Sequence, residues 1–407
     1  MHYRGAVSDL HVRTATPEDL ERLLQIHVSA FPDARGMAAR RRNFADNPLG
    51  SLVDLHVILG GDRLLGHAFL FKLGAWFGGK RVAVGGIASV GVALEARGRG
   101  IARTLMSQLH AESVRRGDAI TMLYAFRYDF YAALGYARTG TSHRVVFSPR
   151  AVPRDWINAA RGALIRPARG DDRGQITAIY DLEAQQGTGQ LDRPNALWDH
   201  TLLDERLHTL VIETGPSAIS GYVSFEHLQE EPHAAVRVRV RDWAGRDDEA
   251  RRILLGALGA QVDQVTTIEI DLSSDDPFLA ALGEIDAHSH GKAGLEHPFG
   301  TLAGGPMVRV NDVERALSAR GYRGDGEATF VVDGGTWTVA SSGGDRTVRR
   351  SDKPGVHVTA PTLGALAFGS LTATSAHRLG WLGGEPAEIK AVDHLLTSPT
   401  FFARDHF

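Results

Sequence analysis

Alternating apolar and polar positions divide the first 150 residues into short strands and amphipathic helices. A helix is predicted from Leu20 to about Phe31, because leucine and isoleucine recur at helical spacing behind a Thr-Pro-Glu-Asp start. Apolar runs bounded by turns predict strands, with further helices between them. The strands are expected at 11–13, 52–59, 64–71, 82–94, 120–126 and 144–147, and the other helices at 36–44, 101–116 and 128–134. This order gives a mixed α+β sheet rather than a doubly wound one.

The opening pattern recurs at 164–172, where Leu-Ile-Arg-Pro-Ala-Arg-Gly-Asp-Asp echoes Val-Arg-Thr-Ala-Thr-Pro-Glu-Asp at 12–19. From the second strand onward, strands and helices follow in the same order as in the first copy, which indicates an internal duplication. Where the first copy has a glycine-rich turn, the second has Gly-Arg-Asp-Asp-Glu at 245–249. These acids would repel a phosphate, so the second copy is predicted to be degenerate.

A third segment, from about residue 300, is predicted to be a smaller α+β lobe. A strand at 307–310 leads into a helix capped by Asp312, and three more strands and two apolar helices follow. The chain ends with Phe401, Phe402 and, as its last residue, Phe407, although a free terminus is normally polar and loose. The tail is therefore expected to be packed. The predicted domains are 1–150, 151–299 and 300–407.

Composition narrows the possible functions. A chain of 407 residues is long enough for two or three domains, and a net charge of −3 gives no reason to expect a nucleic-acid partner. The sequence contains no cysteine, which excludes disulfides, thiolate nucleophiles and cysteine-ligated metals. Without a signal-peptide core or an apolar run of ~18 residues, neither membrane insertion nor a secretory leader is expected. A cytoplasmic location is predicted, with leaderless secretion as the alternative.

Histidines at 288, 290 and 297, with Asp286, are the only metal-ligand cluster that the sequence suggests. They lie among glycines, with no predicted strand or helix to fix their geometry. No metal site is predicted.

The segment 90–103, which we call the cradle, carries the clearest chemical signal. An apolar strand passes through a turn with two glycines and two arginines into a helix start. Such a junction leaves backbone N–H groups unpaired at the positive end of the helix dipole, and glycine lets a phosphate approach the backbone. The cradle is therefore predicted to bind a pyrophosphate, the alternative being an ordinary strand–helix turn.

Two common nucleotide motifs do not fit. A dinucleotide fingerprint needs a third glycine, but Arg103 follows Gly98 and Gly100, and the next strand has no acid at its tip. The P-loop-like run Gly-Ala-Trp-Phe-Gly-Gly-Lys-Arg at 74–81 lacks the Ser/Thr that binds magnesium and leads into a strand. It is interpreted as a hairpin turn. The pattern Arg97-Gly98-Arg99-Gly100-Ile101-Ala102 instead resembles the coenzyme A loop of GCN5-related N-acetyltransferases (GNATs).

Phe130-Tyr131-Ala132-Ala133-Leu134-Gly135-Tyr136 resembles the helix that follows the fifth strand in the same enzymes. In those enzymes the helix tyrosine lies near the departing sulfur, and a phenol can protonate a thiolate of comparable pKa. The sequence alone does not choose among Tyr131, Tyr124, Tyr128 and Tyr136. A simply packed tyrosine is the alternative for Tyr131.

The whole chain resembles the enhanced intracellular survival (Eis) acetyltransferases. The resemblance rests on the cradle, the Tyr131 helix, Leu197-Trp198-Asp199, Asp312-Val313-Glu314-Arg315-Ala316-Leu317 and the terminal Phe407. It implies an active GNAT domain, a degenerate GNAT domain and a C-terminal lobe resembling sterol carrier proteins. It also implies a homo-hexamer, built as a dimer of trimers.

The resemblance assigns roles to particular residues. Tyr131 would be the general acid, and the terminal carboxylate of Phe407 would accept the amine proton, with a merely packed tail as the alternative. A free terminal carboxylate has a pKa of ~3.3–3.7, so burial or a water relay would have to assist it. Acetyl-CoA would be the cosubstrate. It would be bound by Val90, Gly91, Val92, Arg97, Gly98, Arg99, Gly100, Ile101, Ala102, Arg103, Phe126 and Arg127.

The implied substrate pocket is deep and acidic, suited to aminoglycosides or polyamines. Its residues here would be Phe31, Asp33, Tyr124, Trp198 and His406. His406 stands in place of an acid, and Tyr124 and Phe126 replace smaller or more polar residues, so a narrower and less anionic pocket is expected. The predicted function is acetyl transfer to amines of a cationic small molecule. The alternatives are protein-lysine acetylation and lipid or acyl-CoA binding by the third lobe.

Overall fold

The computed structural model describes residues 10–32, 36–202, 204, 206–229, 231, 234–283 and 300–407. Contacts between Cα atoms divide the chain into two compact units. The first comprises Met1–Thr139, Pro306–Ser398 and Asp405–Phe407, and the second Gly140–Gly305 and Pro399–Arg404. No helix among these described residues is both long and apolar enough to cross a membrane.

The strands in chain order are β1 (Leu10–Thr14), β2 (Leu55–Gly60), β3 (Arg63–Phe77), β4 (Lys80–Val92), β5 (Ile120–Leu123), β6 (Ala137–Arg138), β7 (Thr141–Phe147), β8 (Leu164–Pro167), β9 (His208–Gly215), β10 (Ala218–Leu228), β11 (Val236–Gly245), β12 (Val265–Ser273), β13 (Gly300–Gly304), β14 (Met307–Val310), β15 (Gly326–Val332), β16 (Gly335–Ser342), β17 (Asp345–Arg350), β18 (Val356–Val358) and β19 (Leu382–Gly383). The helices are α1 (Leu20–Ala30), α2 (Met37–Ala45), α3 (Ile101–Arg116), α4 (Tyr128–Ala132), α5 (Arg154–Gly162), α6 (Arg173–Gln186), α7 (Asn195–Leu202), α8 (Asp248–Gly259), α9 (Val313–Ala319), α10 (Ala360–Phe368), α11 (Ala373–Arg378) and α12 (Pro386–Leu395).

The first unit is built on a seven-stranded mixed sheet in the order β1-β2-β3-β4-β5-β14-β6. Its centre is the long β3–β4 hairpin, on which α1 and α3 both pack. Apolar residues at helical spacing on α3, including Leu105, Met106 and Leu109, are fully buried. Burial of such an apolar face contributes most of the stability of an amphipathic helix, and it fixes the α3 N-terminus beside the end of β4.

One predicted strand pairs in a different sheet. The strand expected at 144–147 to complete the first sheet is β7, which pairs with β12 and β13 in the second unit. In the first sheet β14 pairs with β5, in the register Met307↔Leu123 to Val310↔Ile120. Both segments are short apolar runs, so periodicity predicts that each is a strand but cannot predict its partner. The domain limits at 150 and 299 stay a prediction.

The second unit repeats the strand pattern in a seven-stranded sheet, in the order β13-β7-β12-β11-β10-β9-β8. Its core is formed by β10–β12 and α8, with Trp243, Leu254, Ile268 and Phe278 among the buried side chains. Helix α8 follows β11 as α3 follows β4, consistent with the predicted duplication.

A five-stranded sheet, β17-β16-β15-β18-β19, completes the first unit together with α9–α12. It joins the hairpin of the first sheet closely: Phe77 contacts Phe368 edge to face at 5.0 Å, and Gly321 N–H donates to the Phe77 carbonyl at 3.0 Å. Helix α10 is buried over most of its length.

Candidate active site

The cradle forms the predicted strand–turn–helix junction. Strand β4 ends at Val92, a single 3-10 turn follows at Leu94–Ala96, and α3 begins at Ile101. Gly98 and Gly100 have φ of +73° and +78°, and a Cβ on either would meet nothing within 4 Å. L side chains rarely adopt this backbone conformation, so glycine is required by conformation and leaves open space beside the helix N-terminus.

The helix N-terminus offers backbone donors to that space. The first backbone hydrogen bond at this end runs from Thr104 N–H to the Gly100 carbonyl at 3.0 Å. The N–H groups of Ile101, Ala102 and Arg103 precede it and belong to the first turn, which has no intrahelical acceptors. Together with the dipole of a 16-residue helix, they favour an anion at this point.

The cradle arginines divide into two roles. Arg97 donates to the carbonyls of Val92, at 3.3 Å, and Ser29, at 3.0 Å, so it ties the turn to β4 and to α1. Arg99 and Arg103 are exposed beside the glycines. They can supply the positive charge that a pyrophosphate needs. The residues present therefore fit such a group.

A gap opens between β4 and β5 next to the cradle. The two strands pair in parallel from Val84↔Ile120 to Ile87↔Leu123, and there the pairing stops. Beyond it, β4 continues to Val92 paired with β3, with a bulge opposite His67–Phe69 and a positive φ of 51° at Ser89. An extended ligand carrying amide groups could use the open edge of 88–92, as a strand would.

Tyr131 lies on α4, directly after the gap. Its side chain is 2% exposed and packs edge to face against Phe126 at 5.8 Å and Phe130 at 5.0 Å. Burial raises the pKa of Tyr131 far above that of a free phenol. The hydroxyl therefore stays protonated at neutral pH, and the same burial makes it a weaker acid than a free phenol.

The other candidate tyrosines are engaged differently. Tyr136 donates to Thr121 Oγ1 and contacts His110 Nε2, both at 3.0 Å, inside the core. Tyr124 donates to the Asp405 carbonyl at 2.9 Å, and the ring of Tyr128 lies 4.0 Å below the Arg138 guanidinium. The role of Tyr131 as proton donor stays a prediction.

Within the first unit, the last residues of the chain lie beside β4 and the end of β5. The Phe407 ring contacts Tyr124 at 5.5 Å, and the His406 ring contacts it at 4.3 Å. A Cβ on Gly86 would come within 3.3 Å of Phe407 Cδ2, and Gly86 pairs with Met122 just before the gap opens. The C-terminus therefore lies beside the β4–β5 gap. Gly86 and Asp405 were not among the predicted site residues, although two consecutive glycines at 85 and 86 are unusual inside a strand.

The remaining predicted site residues have separate positions. Phe126 is 74% exposed at the β5 end, beside Arg127, which is also exposed. Phe31 ends α1 and packs on the His27 ring at 4.6 Å. Asp33 lies outside the described residues, as do Asp286 and the histidines at 288, 290 and 297.

Trp198 lies in the second unit and is 1% exposed, packed against Tyr180 at 5.1 Å and Arg193 at 4.7 Å. Its indole presents almost no surface to a ligand in this conformation. Its role in a substrate pocket stays a prediction.

The second copy differs from the first at the position of the cradle. Asp247 caps α8, and its carboxylate accepts from the Ala250 N–H at 2.8 Å. Helix α8 thus carries its own anion where α3 has an open, glycine-lined N-terminus. A phosphate would meet a like charge there, which supports the prediction of one cofactor site rather than two.

Comparison with known families identifies both copies. Two acetyltransferase (GNAT) domain models match residues 11–139 and 189–310, and a sterol carrier protein domain model matches 313–402. The chain therefore contains two GNAT acetyltransferase domains. The predicted order of two GNAT domains and a sterol-carrier-like lobe is thereby confirmed, and the GNAT fold implies acetyl-CoA as a cosubstrate.

Individual relatives support the same assignment. N-acetyltransferase Eis of Mycobacterium tuberculosis is 26% identical over 317 residues, which cover 72% of this chain and 73% of that protein. An uncharacterized N-acetyltransferase of Streptomyces avermitilis is 27% identical over 275 residues, covering 63% and 62%. The predicted resemblance of this GNAT enzyme to the Eis proteins is confirmed.

Solved structures share the fold over nearly the whole chain. A GCN5-related N-acetyltransferase from Anabaena variabilis superposes with a TM-score of 0.84 at 21% identity, covering 98% of this chain and 100% of the other. Eis1 from Mycobacterium abscessus superposes with a TM-score of 0.75 at 23% identity, with the same coverage.

Proposed function

We propose that this GNAT enzyme transfers the acetyl group of acetyl-CoA to amines of a cationic small molecule of the aminoglycoside or polyamine class. The observation that carries the donor half is the open, glycine-lined N-terminus of α3 beside the β4–β5 gap. Gly98 and Gly100 leave room for a pyrophosphate, and 88–92 offers an edge for the amides of the pantetheine arm.

The proposal of a cationic amine as acetyl acceptor rests on the resemblance to the Eis proteins and on negative charge near the C-terminus. His406 replaces an acid, but the neighbouring Asp405 places a carboxylate near Tyr124, and this charge adds to burial in raising the pKa of Tyr124. A carboxylate beside the site favours a protonated amine over a neutral acceptor.

In the proposed reaction the bound ammonium group first loses one proton to solvent. The neutral amine nitrogen then attacks the thioester carbonyl, so that a C–N bond forms and the C–S bond breaks. The terminal carboxylate of Phe407 takes the proton that leaves nitrogen, and the Tyr131 hydroxyl offers a proton to the departing sulfur. The net result is one proton moved from nitrogen to sulfur, after which solvent restores both groups.

A thiol-release assay with acetyl-CoA and a panel of amines tests the proposal. The panel should contain aminoglycosides, spermidine and lysine-containing peptides, with deletion of Phe407 as the matched variant. We expect thiol release with a polyamine or aminoglycoside, and its loss in the deletion while the Kd for acetyl-CoA stays unchanged. Full activity without Phe407 would exclude the terminal base, and preference for peptides would favour protein-lysine acetylation.

The sterol-carrier-like match at 313–402 keeps lipid or acyl-CoA binding as a second candidate. Lipid co-purifying with the full chain, with no thiol release from any amine, would favour it. We also propose a homo-hexamer, a dimer of trimers, in the cytoplasm, with no nucleic-acid or membrane partner. Light scattering of the purified chain tests the assembly.

A further inference from the structure

Residues Pro399–Arg404, shortly before the C-terminus, belong to the second unit and make specific contacts within it. Thr400 Oγ1 donates to Asp275 at 2.5 Å, and the Phe402 N–H donates to the Thr188 carbonyl at 2.9 Å. The Phe401 ring lies against Gly189, where a Cβ would come within 2.3 Å of it. Backbone, side-chain and packing contacts thus hold residues 400–402 in place within the second unit.

Arg404 reaches a buried carboxylate of the second unit. Its guanidinium donates to the Trp243 carbonyl, pairs with Glu183 and lies 3.5 Å from Asp242 Oδ1. Asp242 is 2% exposed and also accepts from Arg193 at 2.6 Å and from Tyr222 at 2.7 Å. The two arginines overcome the burial of this carboxyl and hold its pKa below the usual value.

The Arg404 contacts lie in the second copy's counterpart of the cofactor gap. Strands β11 and β12 pair in parallel from Val236↔Val265 only to Arg239↔Glu269, just as β4 and β5 separate after Ile87↔Leu123. Trp243, whose carbonyl binds Arg404, stands two residues before the end of β11, as Val90 does on β4. The edge left open for a ligand in the first copy binds the chain's own tail in the second.

We propose that the degenerate copy uses its former donor gap to hold the C-terminal segment, and that Arg404 is a positioning residue for the Phe407 carboxylate. This inference rests on the proposed function, in which that carboxylate is the base. Three residues span at most ~11 Å when extended, so an anchor at Arg404 restricts where the chain end can reach. A base displaced by about 1 Å can cost two orders of magnitude in rate.

The test compares Arg404→Met with Arg166→Met in the full chain. Arg166 also lies between two carboxylates of the second unit, Asp172 and Glu213, and it further donates to the Pro167 carbonyl, so these contacts lie away from the tail. We expect Arg404→Met to lower kcat by roughly 10- to 100-fold with an unchanged Kd for acetyl-CoA. It should also let carboxypeptidase remove Phe407 faster, whereas Arg166→Met should lower only thermal stability. Arg404→Lys, which keeps one ion pair, should recover part of kcat.

Combining each variant with deletion of Phe407 separates the two proposals. If Arg404 acts through the terminal base, Arg404→Met should not lower the residual rate of thiol release that remains after deletion of Phe407, whereas independent effects would multiply. An active Phe407 deletion would overturn the proposed base. An inactive deletion with Arg404→Met at wild-type kcat would overturn only the tail anchor. If Arg404→Met does not fold, Glu183→Gln can be used instead, because it removes one ion pair of Arg404. A Glu183→Gln variant with normal kcat and a tail still resistant to carboxypeptidase would refute the proposed anchor.

Discussion

Replacing Gly100 with alanine is the most direct test of the cradle. Gly100 has φ of +78° with nothing within 4 Å of a built Cβ, so the new methyl group meets no protein atom. The backbone cost of an L residue in this region is ~1–2 kcal/mol. The methyl group and the strained turn would both fall where the pyrophosphate is proposed to lie.

Gly380 provides a matched control in the same unit. Its φ is +71°, and it too has no atom within 4 Å of a built Cβ, but it lies in the third sheet's lobe. Both Gly→Ala variants should therefore lose ~1–2 kcal/mol of unfolding free energy. Only Gly100→Ala should also lose one hydrogen bond to a charged phosphate, worth ~1.5–3 kcal/mol.

That loss corresponds to roughly a 10- to 100-fold increase in the Kd for acetyl-CoA. Isothermal titration calorimetry gives the Kd, and urea unfolding gives the free energy for each variant. If both variants lose equal stability and both keep the wild-type Kd, the cradle does not hold the pyrophosphate. An equal rise in Kd for both would show that affinity follows stability rather than local contact.

Three further outcomes are expected. Tyr131→Phe should lower kcat by about 100-fold in the thiol-release assay, and an unchanged rate would move the acid role to Tyr124 or Tyr128. Asp247→Ala should cost about 1 kcal/mol in urea unfolding through loss of the α8 cap, with the Kd for acetyl-CoA unchanged; a tighter Kd or a second binding site would show that this carboxylate alone excludes the phosphate. Burial lowers the pKa of His67 and of His110 to about 3, so below the unfolded pKa of ~6.5 the unfolded state binds more protons. Stability should then fall by about 2 kcal/mol per histidine between neutral pH and pH 5, and urea unfolding of His110→Gln with an unchanged pH slope would contradict this.

The strand–turn–helix junction of the cradle was predictable because it is local in sequence. Gly98, Gly100 and the helix start at Ile101 are neighbours in sequence, and the conformation that the turn requires is visible in the residue types. The structure has the predicted junction there. The degenerate turn of the second copy was predictable for the same reason.

What depends on long-range pairing was not predictable. β7 and β14 have similar apolar patterns, and only packing decides that β14 pairs with β5. The aromatic tail was expected to be packed, and Phe401 and Phe402 are buried. No local sequence pattern, however, predicts the ion pair between Arg404 and Asp242. The choice among four tyrosines likewise depended on contacts distant in sequence, such as that of Tyr124 with Asp405.

The insertion of β14 between β5 and β6 also bears on how the chain is made. The first sheet needs Met307–Val310, which the ribosome delivers only after the second unit's strands β7–β13 have been synthesised. Until then β5 has an unpaired edge, and such edges promote misassociation during folding. A fragment ending near residue 150 would keep that edge permanently. The catalytic domain and its degenerate copy are therefore expected to mature together, and the isolated N-terminal domain is a poor candidate for expression on its own.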